Sequence, residues 1–162
     1  MSVLSFCEWL QETPFSVGIR ESIVWFPLLD ALHVMGTVTA VGLILALDFR
    51  LLGWGMRRTP ISAIFEQLRP WAIVGIAGQS LTGVLLLLSE PVKCYNTPAF
   101  WIKMVAMGLA FGNALIFDRM VYPSSAGWDN SLSPPFRAKF AGGASLILWA
   151  IVIWGGRWTA YA

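Results

Sequence analysis

Four long apolar stretches dominate this chain and restrict what it can fold into. They cover about residues 22–47, 71–88, 99–122 and 140–158. About 20 helical residues cross the hydrocarbon core of a membrane, and each stretch is close to that length or longer. Lipid offers no hydrogen-bond partner to a bare backbone, so segments of this kind are helices. The sequence therefore predicts an all-α integral membrane protein, a four-transmembrane-helix bundle.

The composition supports the same class and excludes others. Of 162 residues, 57% are hydrophobic and only 12% are charged, which is unlike a water-soluble domain. The net charge of +2 is small and the basic residues are dispersed, so the expected partner is the lipid bilayer and not nucleic acid. The sequence has no internal repeat or composition shift. We therefore expect residues 1–162 to form a single membrane domain.

The leading segment, residues 1–20, differs from the four stretches. It carries Glu8 and Glu12 and lacks the basic start and continuous apolar run of a signal peptide. Apolar side chains such as Phe6 and Trp9 fall broadly on one side if this segment is helical. We expect a short N-terminal interfacial helix that lies on the outer membrane surface.

The basic residues between the stretches predict an orientation. Most of them lie between the first and second stretches or between the third and fourth: Arg50, Arg57, Arg58, Arg69, Arg119, Arg137 and Lys139. The connection between the second and third stretches has one lysine and one glutamate. The positive-inside rule then places the two basic loops in the cytoplasm and both termini on the periplasmic side of a bacterial inner membrane.

The two cysteines gain a meaning from this orientation. Cys7, in the leading segment, and Cys94, in the second outer loop, are both predicted on the oxidising side of the membrane. We predict that they form one disulfide between the leading helix and the loop; the alternative is two unrelated thiols. The sequence lacks the Cys and His spacings of zinc, c-type haem or iron–sulfur sites.

Ionisable side chains inside lipid are costly, and each needs a partner, a cavity or a function. At the inner ends of the first and third stretches, we expect Asp48 and Asp118 to pair with Arg50, Arg119 or a basic loop residue. Such pairing is the usual arrangement of charges near membrane ends.

A second set lies deeper or nearer the outer side. His33 is the single histidine of the chain and lies near the middle of the first stretch, with Asp30 about one helical turn earlier on the same face. Lys103 lies in the outer part of the third stretch, and Arg157 at the outer end of the fourth. We expect Asp30 to orient the imidazole or to pair with Lys103, because opposite charges at similar depth offset part of their desolvation.

Two interpretations of His33 remain open. In the first, a neutral imidazole forms interhelical hydrogen bonds with Thr37, Gln79, Ser80 or Thr82, as polar side chains commonly do between membrane helices. In the second, a ring nitrogen of His33 binds the iron of a b-type haem.

The haem hypothesis assigns roles to the other deep charges. The metal ligand is His33, Asp30 or a backbone carbonyl fixes its tautomer, and Arg157 and Lys103 meet the propionates. One histidine excludes bis-histidine ligation within one chain, so the second axial position is empty, comes from another protomer, or is filled by Met35, Met104 or Met107.

Several sequence patches occur together in a recognisable order: "LHVMGTVTAVGLILALDFRLLG", "NTPAFWIKMVAMGLAFGNALIF" and "LILWAIVIWGGRWTAY". With them the chain resembles a family of small four-helix bacterial inner-membrane proteins that carries a domain-of-unknown-function label. The resemblance covers nearly the whole length and implies the four-helix fold and the importance of His33, Asp48, Arg50 and Arg157. It implies no activity. The chain is also similar in size and helix count to haem- and copper-associated four-helix membrane cytochromes, but it lacks their multiple histidines.

Two functions follow as hypotheses. The first is a membrane-embedded subunit that binds one b-type haem through His33 and supports electron transfer with a periplasmic or quinone partner. The second is a cofactor-free structural or anchor subunit of a homo-oligomeric or larger membrane complex, favoured by the small-residue patches "GIAGQSLTG", "AFGNA" and "FAGGAS". A relay for ion transport lacks the inverted repeat or broken helices typical of transporters. One histidine and these acids assemble no catalytic constellation, so a self-sufficient enzyme is not expected.

Overall fold

The computed structural model describes residues 2–162, and within that range the chain is helical and contains no strand, as predicted. The α-helices, in chain order, are α1 (Val3–Gln11), α2 (Pro14–Arg20), α3 (Trp25–Leu52), α4 (Ile61–Ser89), α5 (Pro91–Asn96), α6 (Pro98–Ile116) and α7 (Phe136–Tyr161). In the described part of the chain, 4 helices are long and apolar enough to cross a membrane: α3, α4, α6 with its continuation to Gly127, and α7.

The long helices form antiparallel pairs. Helix α3 packs along α4, helix α6 packs along α7, and the pairs meet where α3 contacts α7. Helices α4 and α6 therefore stand at the outer sides of a cleft. We call the end of the bundle with residues 53–60 and 128–135 the basic end. The opposite end, with α1, α2, α5 and the end of α7, is the terminal end.

The outward faces of the bundle are apolar. Large exposed side chains on the four long helices include Val38, Val74, Val105, Leu109 and Ile147. A continuous apolar exterior of this kind is unstable in water and is suited to hydrocarbon. The structure therefore agrees with a multi-pass membrane protein.

The helix that contains the second apolar stretch begins at Ile61, well before Trp71, where the stretch itself begins. Asp129, from the segment before α7, supports this first turn. Its Oδ1 accepts from the Ser62 backbone N–H at 2.7 Å, and its Oδ2 accepts from the Ser62 hydroxyl at 2.7 Å. These bonds, the backbone one first, lower the pKa of Asp129 below its ordinary value. Pro70 then lies inside α4, where its ring removes one backbone donor.

Arg50 joins the two loops of the basic end. Its side chain is fully buried, and Nε donates to the Thr59 carbonyl at 2.9 Å. Nη2 donates to the carbonyls of Asp129 at 3.3 Å and Ser131 at 3.2 Å. The prediction that Asp48 pairs with Arg50, Arg119 or a basic loop residue is wrong, since Asp48 forms no ion pair among the described residues. Arg50, two residues away on the same helix, points to nearly the opposite side.

The other inner acid has an ionic partner. Asp118 Oδ2 accepts from Arg69 Nη2 at 3.0 Å, which confirms its predicted pairing with a basic residue of the loop region. Arg69 lies on α4, and Asp118 lies in a π-helical turn, Phe117–Val121, that continues α6. The pair bridges the cleft between α4 and α6 near the basic end.

The leading segment forms the terminal end of the bundle. The predicted short helix exists as α1, which packs against α5, and a second short helix, α2, packs against α4. The Ser16 hydroxyl donates to the Leu88 carbonyl at 2.6 Å, and Arg20 Nη1 donates to the Ser89 carbonyl at 3.3 Å. The sequence pattern missed α2 because its few residues carry no long apolar run.

The predicted disulfide is not formed in the structure. Cys7 on α1 and Cys94 on α5 are both free thiols, although the two helices that carry them pack together. Burial, followed by the nearby Glu90 carboxylate, raises the pKa of the Cys94 thiol. A raised pKa reduces the thiolate fraction, which is the reactive form in disulfide chemistry.

Candidate functional site

His33 lies at the contact between α3 and α4, where three side chains surround its ring. His33 Nδ1 lies 2.9 Å from the Thr82 hydroxyl oxygen, and Nε2 lies 2.9 Å from Gln79 Nε2. The Gln79 amide also donates to the Thr37 hydroxyl at 2.5 Å, and that hydroxyl donates to the His33 carbonyl at 2.9 Å. We call these four residues the His33 cluster. Gln79 and Thr82 are two of the interhelical partners that the sequence suggested for a neutral imidazole.

The donors and acceptors of the His33 cluster indicate one tautomer. The Thr82 hydroxyl donates to carbonyls of its own helix, those of Gly78 and Gln79, each at 3.1 Å. Its oxygen is therefore an acceptor for the His33 Nδ1–H. With the amide of Gln79 oriented as in the structure, Nε2 is then the acceptor for its N–H, and Gln79 Oε1 has no partner among the described residues. A neutral imidazole thus uses both ring nitrogens to join α3 to α4.

Two glycines let the helices come close enough for these bonds. A Cβ on Gly36 would lie 2.7 Å from Gln79 Oε1, and a Cβ on Gly83 would lie 3.0 Å from His33 Cε1. Both distances are shorter than side chains tolerate without movement. Gly36 and Gly83 therefore bring the two helices together at His33.

The remaining predicted site residues form no hydrogen bond with the His33 ring, although Asp30 and Lys103 lie near enough to act on it electrostatically. In the described residues Asp30 forms no side-chain hydrogen bond or ion pair, so the predicted Asp30–Lys103 pair is not formed. Lys103 instead lies over α7: a Cβ on Gly155 would be 3.0 Å from its Cβ, and one on Gly156 would be 3.8 Å from its Nζ. The small residues of α7 provide a channel for this long side chain. The lysine therefore follows the α6–α7 contact.

Arg157 lies near the end of α7 and is exposed. Its Nη2 donates to the Tyr161 hydroxyl at 2.6 Å, and its guanidinium carbon lies 5.0 Å from the centre of the same ring. The spacing of four residues places both side chains on one face of the helix. Arg157 and Tyr161, at the end of the patch "LILWAIVIWGGRWTAY", therefore form a local stacked pair.

In this structure, haem ligation by His33 would require one of its two ring hydrogen bonds to be broken. Iron ligation needs a free ring nitrogen, whereas both nitrogens of His33 have hydrogen-bond partners at 2.9 Å. Within residues 2–162 there is also no group of three or more His, Cys, Asp or Glu side chains that could hold a metal ion.

A second candidate site lies toward the basic end, between α4 and α6. A cleft of about 440 Å³ opens there, within the range of roughly 300–1,000 Å³ that is typical of small-molecule pockets. Asp48 of α3 lines its inner wall and is only 4% exposed. Among the described residues, Asp48 Oδ2 has no hydrogen-bond partner. We call this space the Asp48 cleft.

Sequence reasoning missed the Asp48 cleft. It identified Asp48 as a costly charge but assigned it a structural ion pair, and the walls come from apolar residues on four helices. The spacing of Asp48 and Arg50 could have indicated that Asp48 is unpaired. Arg50 is its nearest basic neighbour in sequence, but residues two apart on one helix cannot face each other.

Comparisons with known proteins place the chain in a family without assigning an activity. No curated protein and no solved structure matches it. The model of a family of unknown function, DUF6644, matches residues 6–162. That match spans nearly the whole chain, and it agrees with the label implied by the sequence patches. The protein therefore belongs to the DUF6644 family.

Proposed function

We propose that this protein is a cofactor-free structural or anchor subunit of a membrane complex, in which His33 joins two transmembrane helices. The observation that carries the proposal is the bonding of both His33 ring nitrogens to α4 side chains, Gln79 and Thr82. Hydrogen bonds between membrane helices stabilise their association by about 0.6–2 kcal/mol each. The imidazole has a structural use that requires no iron.

Other charged groups have structural uses of the same kind. Arg50 is bound by loop carbonyls, and Arg69 is paired with Asp118. An anchor subunit needs a rigid frame and a face for a partner. The bonds of these groups support the first requirement.

An outward face of α6 supports the second requirement. Gly108 and Gly112 lie one turn apart, and a Cβ on either would meet no atom of the described chain within 4 Å. Small residues at this spacing allow two membrane helices to approach closely. We propose that this face packs against a second copy of the chain.

The proposed setting is a bacterial inner membrane, with the basic end in the cytoplasm and the terminal end outside. The arginine-rich loops support this orientation through the positive-inside rule. A membrane-impermeant maleimide tests it in intact cells from which the outer membrane has been removed. Cys7 of a Cys94→Ser variant should be labelled from outside, whereas the introduced cysteine of an Asn130→Cys variant that lacks Cys7 and Cys94 should not be; the opposite pattern would reverse the orientation.

This orientation also supports a proposed disulfide between Cys7 and Cys94, whose thiols are free in the structure. Cys7 and Cys94 lie on packed helices at the end proposed to face the oxidising compartment. Non-reducing peptide mass spectrometry of protein purified from membranes should recover the two cysteines linked. Complete alkylation of both thiols before reduction would refute the linkage.

The alternative function is binding of one b-type haem with electron transfer to a periplasmic or quinone partner. It requires iron to replace one of the His33 hydrogen bonds. Optical spectra of protein purified from haem-supplied cells distinguish the two functions. We expect no Soret band in the oxidised or reduced protein, and a lower melting temperature for His33→Ala. The matched control is Thr39→Ala, because the Thr39 hydroxyl donates only to the Met35 carbonyl of its own helix.

A Soret band that shifts on reduction and disappears in His33→Ala would overturn the cofactor-free proposal in favour of the haem subunit. A Soret band retained in His33→Ala would also overturn it, because haem would then bind elsewhere.

Light scattering after size exclusion tests the proposed contact between copies. The wild-type protein should elute as an oligomer, and a Gly108→Leu, Gly112→Leu double variant should be monomeric. Gly78→Leu is the control, since Gly78 is equally open but lies on α4. A monomeric wild type that purifies without another membrane protein would contradict the anchor function.

A further inference from the structure

The Asp48 cleft contains a buried acid without a counter-ion. Asp48, Arg69 and Asp118 are its charged lining residues, and Arg69 and Asp118 neutralise each other at 3.0 Å. Asp48 has no counter-ion among residues 2–162, and its Oδ2 lacks a hydrogen bond there. A buried carboxylate without a partner is costly, and in a membrane span it commonly marks a binding site or an ion pathway.

The walls of the Asp48 cleft are apolar and aromatic. The aromatic lining residues are Phe65, Phe111, Phe117 and Trp149. Trp149 packs edge-on against Phe111, with ring centres 6.3 Å apart, so the two rings have fixed orientations. Aromatic faces attract organic cations as well as apolar groups.

The polar lining favours a ligand that donates and does not accept hydrogen bonds. Asp48 supplies a carboxylate whose Oδ2 is unbonded, and the Ser145 hydroxyl, which lies within hydrogen-bonding reach of Asp48, keeps lone pairs that are able to accept. Asn113 uses one of its two amide N–H groups on the Ala141 carbonyl at 2.9 Å. Arg69 is the strong donor of the lining, and it is already bound to Asp118.

We propose that the Asp48 cleft binds a lipophilic organic cation, with its positive group at Asp48 and its apolar part against the aromatic wall. A metal ion would need several oxygen ligands, which an apolar cleft with one free carboxylate does not supply. A neutral lipid chain would fill the space but leave Asp48 without a partner. This site is separate from the His33 cluster and does not depend on the structural role proposed there.

Binding of radiolabelled tetraphenylphosphonium to the detergent-purified full chain tests the proposal. This probe is a lipophilic cation, and tetraphenylborate is an anion of the same shape. We expect saturable binding of the cation and at least about tenfold weaker binding of the anion. Asp48→Asn should weaken cation binding by about tenfold or more, because one charged interaction is lost. Asp30→Asn, which removes a carboxylate of the same helix outside the cleft, should leave it unchanged.

A second pair of variants tests whether the ligand occupies the Asp48 cleft, without altering its charge. Ala72 lines the cleft, whereas Ala77 lies on the exposed face of the same helix. Ala72→Leu should weaken cation binding severalfold, and Ala77→Leu should not. These variants keep the test decisive if Asp48→Asn does not fold. Equal binding of cation and anion, or binding that ignores both Asp48→Asn and Ala72→Leu, would overturn the proposal.

An ammonium on an apolar body occurs in aminolipids and in free organic cations. Binding in nanodiscs of phosphatidylcholine, with and without phosphatidylethanolamine, separates these sources. Displacement of the probe by phosphatidylethanolamine identifies an aminolipid as the occupant. Unchanged probe binding identifies a free organic cation.

Discussion

His33 and Asp48 lie on the same helix, α3, about four turns apart, and their surroundings are opposite. His33 is half-buried, and both of its ring nitrogens have partners on α4. Asp48 is almost fully buried, and its Oδ2 has no partner among the described residues. The difference indicates that one polar residue holds the helices together while the other is available to a ligand.

A polar side chain inside a membrane protein has opposite effects on stability depending on whether its hydrogen bonds are satisfied. A satisfied group strengthens the fold, so its removal should destabilise the protein. An unsatisfied group weakens the fold, so its removal should leave stability unchanged or raise it. The sign of the stability change is therefore the clearest test.

The largest effect should come from His33→Ala. The substitution removes two interhelical hydrogen bonds and leaves the Gln79 amide without one of its two acceptors, so we expect the free energy of unfolding to fall by about 2 kcal/mol. Unfolding in mixed micelles at increasing denaturing detergent measures the change. A double-mutant cycle with Gln79→Leu should give a coupling near 1 kcal/mol. Additive effects would mean that the two side chains do not interact.

Asp48→Asn should change stability in the other direction. Replacing the unpaired carboxylate with a neutral amide should raise the free energy of unfolding by up to about 1 kcal/mol, because less charge is buried. The control is Asp118→Asn, which removes the partner of Arg69 and should not stabilise. A loss of more than about 1 kcal/mol in Asp48→Asn would imply a partner for Asp48 and would erase the contrast with His33.

Glycine substitutions on α3 sharpen the comparison at the helix contact. A Cβ on Gly36 would meet Gln79 Oε1 at 2.7 Å, whereas one on Gly42 would meet no described atom within 4 Å. Gly36→Ala should therefore lower the melting temperature, which corresponds to a loss of about 1 kcal/mol in the free energy of unfolding. Gly42→Ala should raise it slightly, because alanine favours a helix. Equal effects would show that α3 and α4 are farther apart at the His33 cluster.

The smallest effect concerns Asp129, a satisfied acid outside the long helices. Its pKa is lowered in the folded state, chiefly by the Ser62 backbone N–H, so the ionised form stabilises the fold. This contribution, roughly 0.5 kcal/mol, is present above the ordinary pKa of about 4 and is lost as pH falls through the lowered folded pKa. Melting curves of wild type and Asp129→Asn should converge over that acidic range. A difference that persists below it would exclude ionisation as the cause.

Much of the fold followed from local pattern. The apolar stretches predicted four long helices, and the one-sided leading segment predicted α1. The start of α4 could not be read in the same way, because its first turn depends on Asp129 from a distant segment. The Asp30–Lys103 pair failed for a related reason: depth in the membrane was predictable, but the direction of Lys103 depends on the glycines of α7.

The sequence by itself determined the class of protein, the long helices and the small set of polar residues that lipid makes expensive. These properties depend on length, hydropathy and periodicity, which are local. Only the tertiary structure decided which polar residues are satisfied. A hydrogen bond requires atoms from distant segments to come within about 3 Å. The hydrogen-bond partners of His33, and the lack of one for Asp48 Oδ2 among the described residues, therefore depend on how the helices are rotated and spaced.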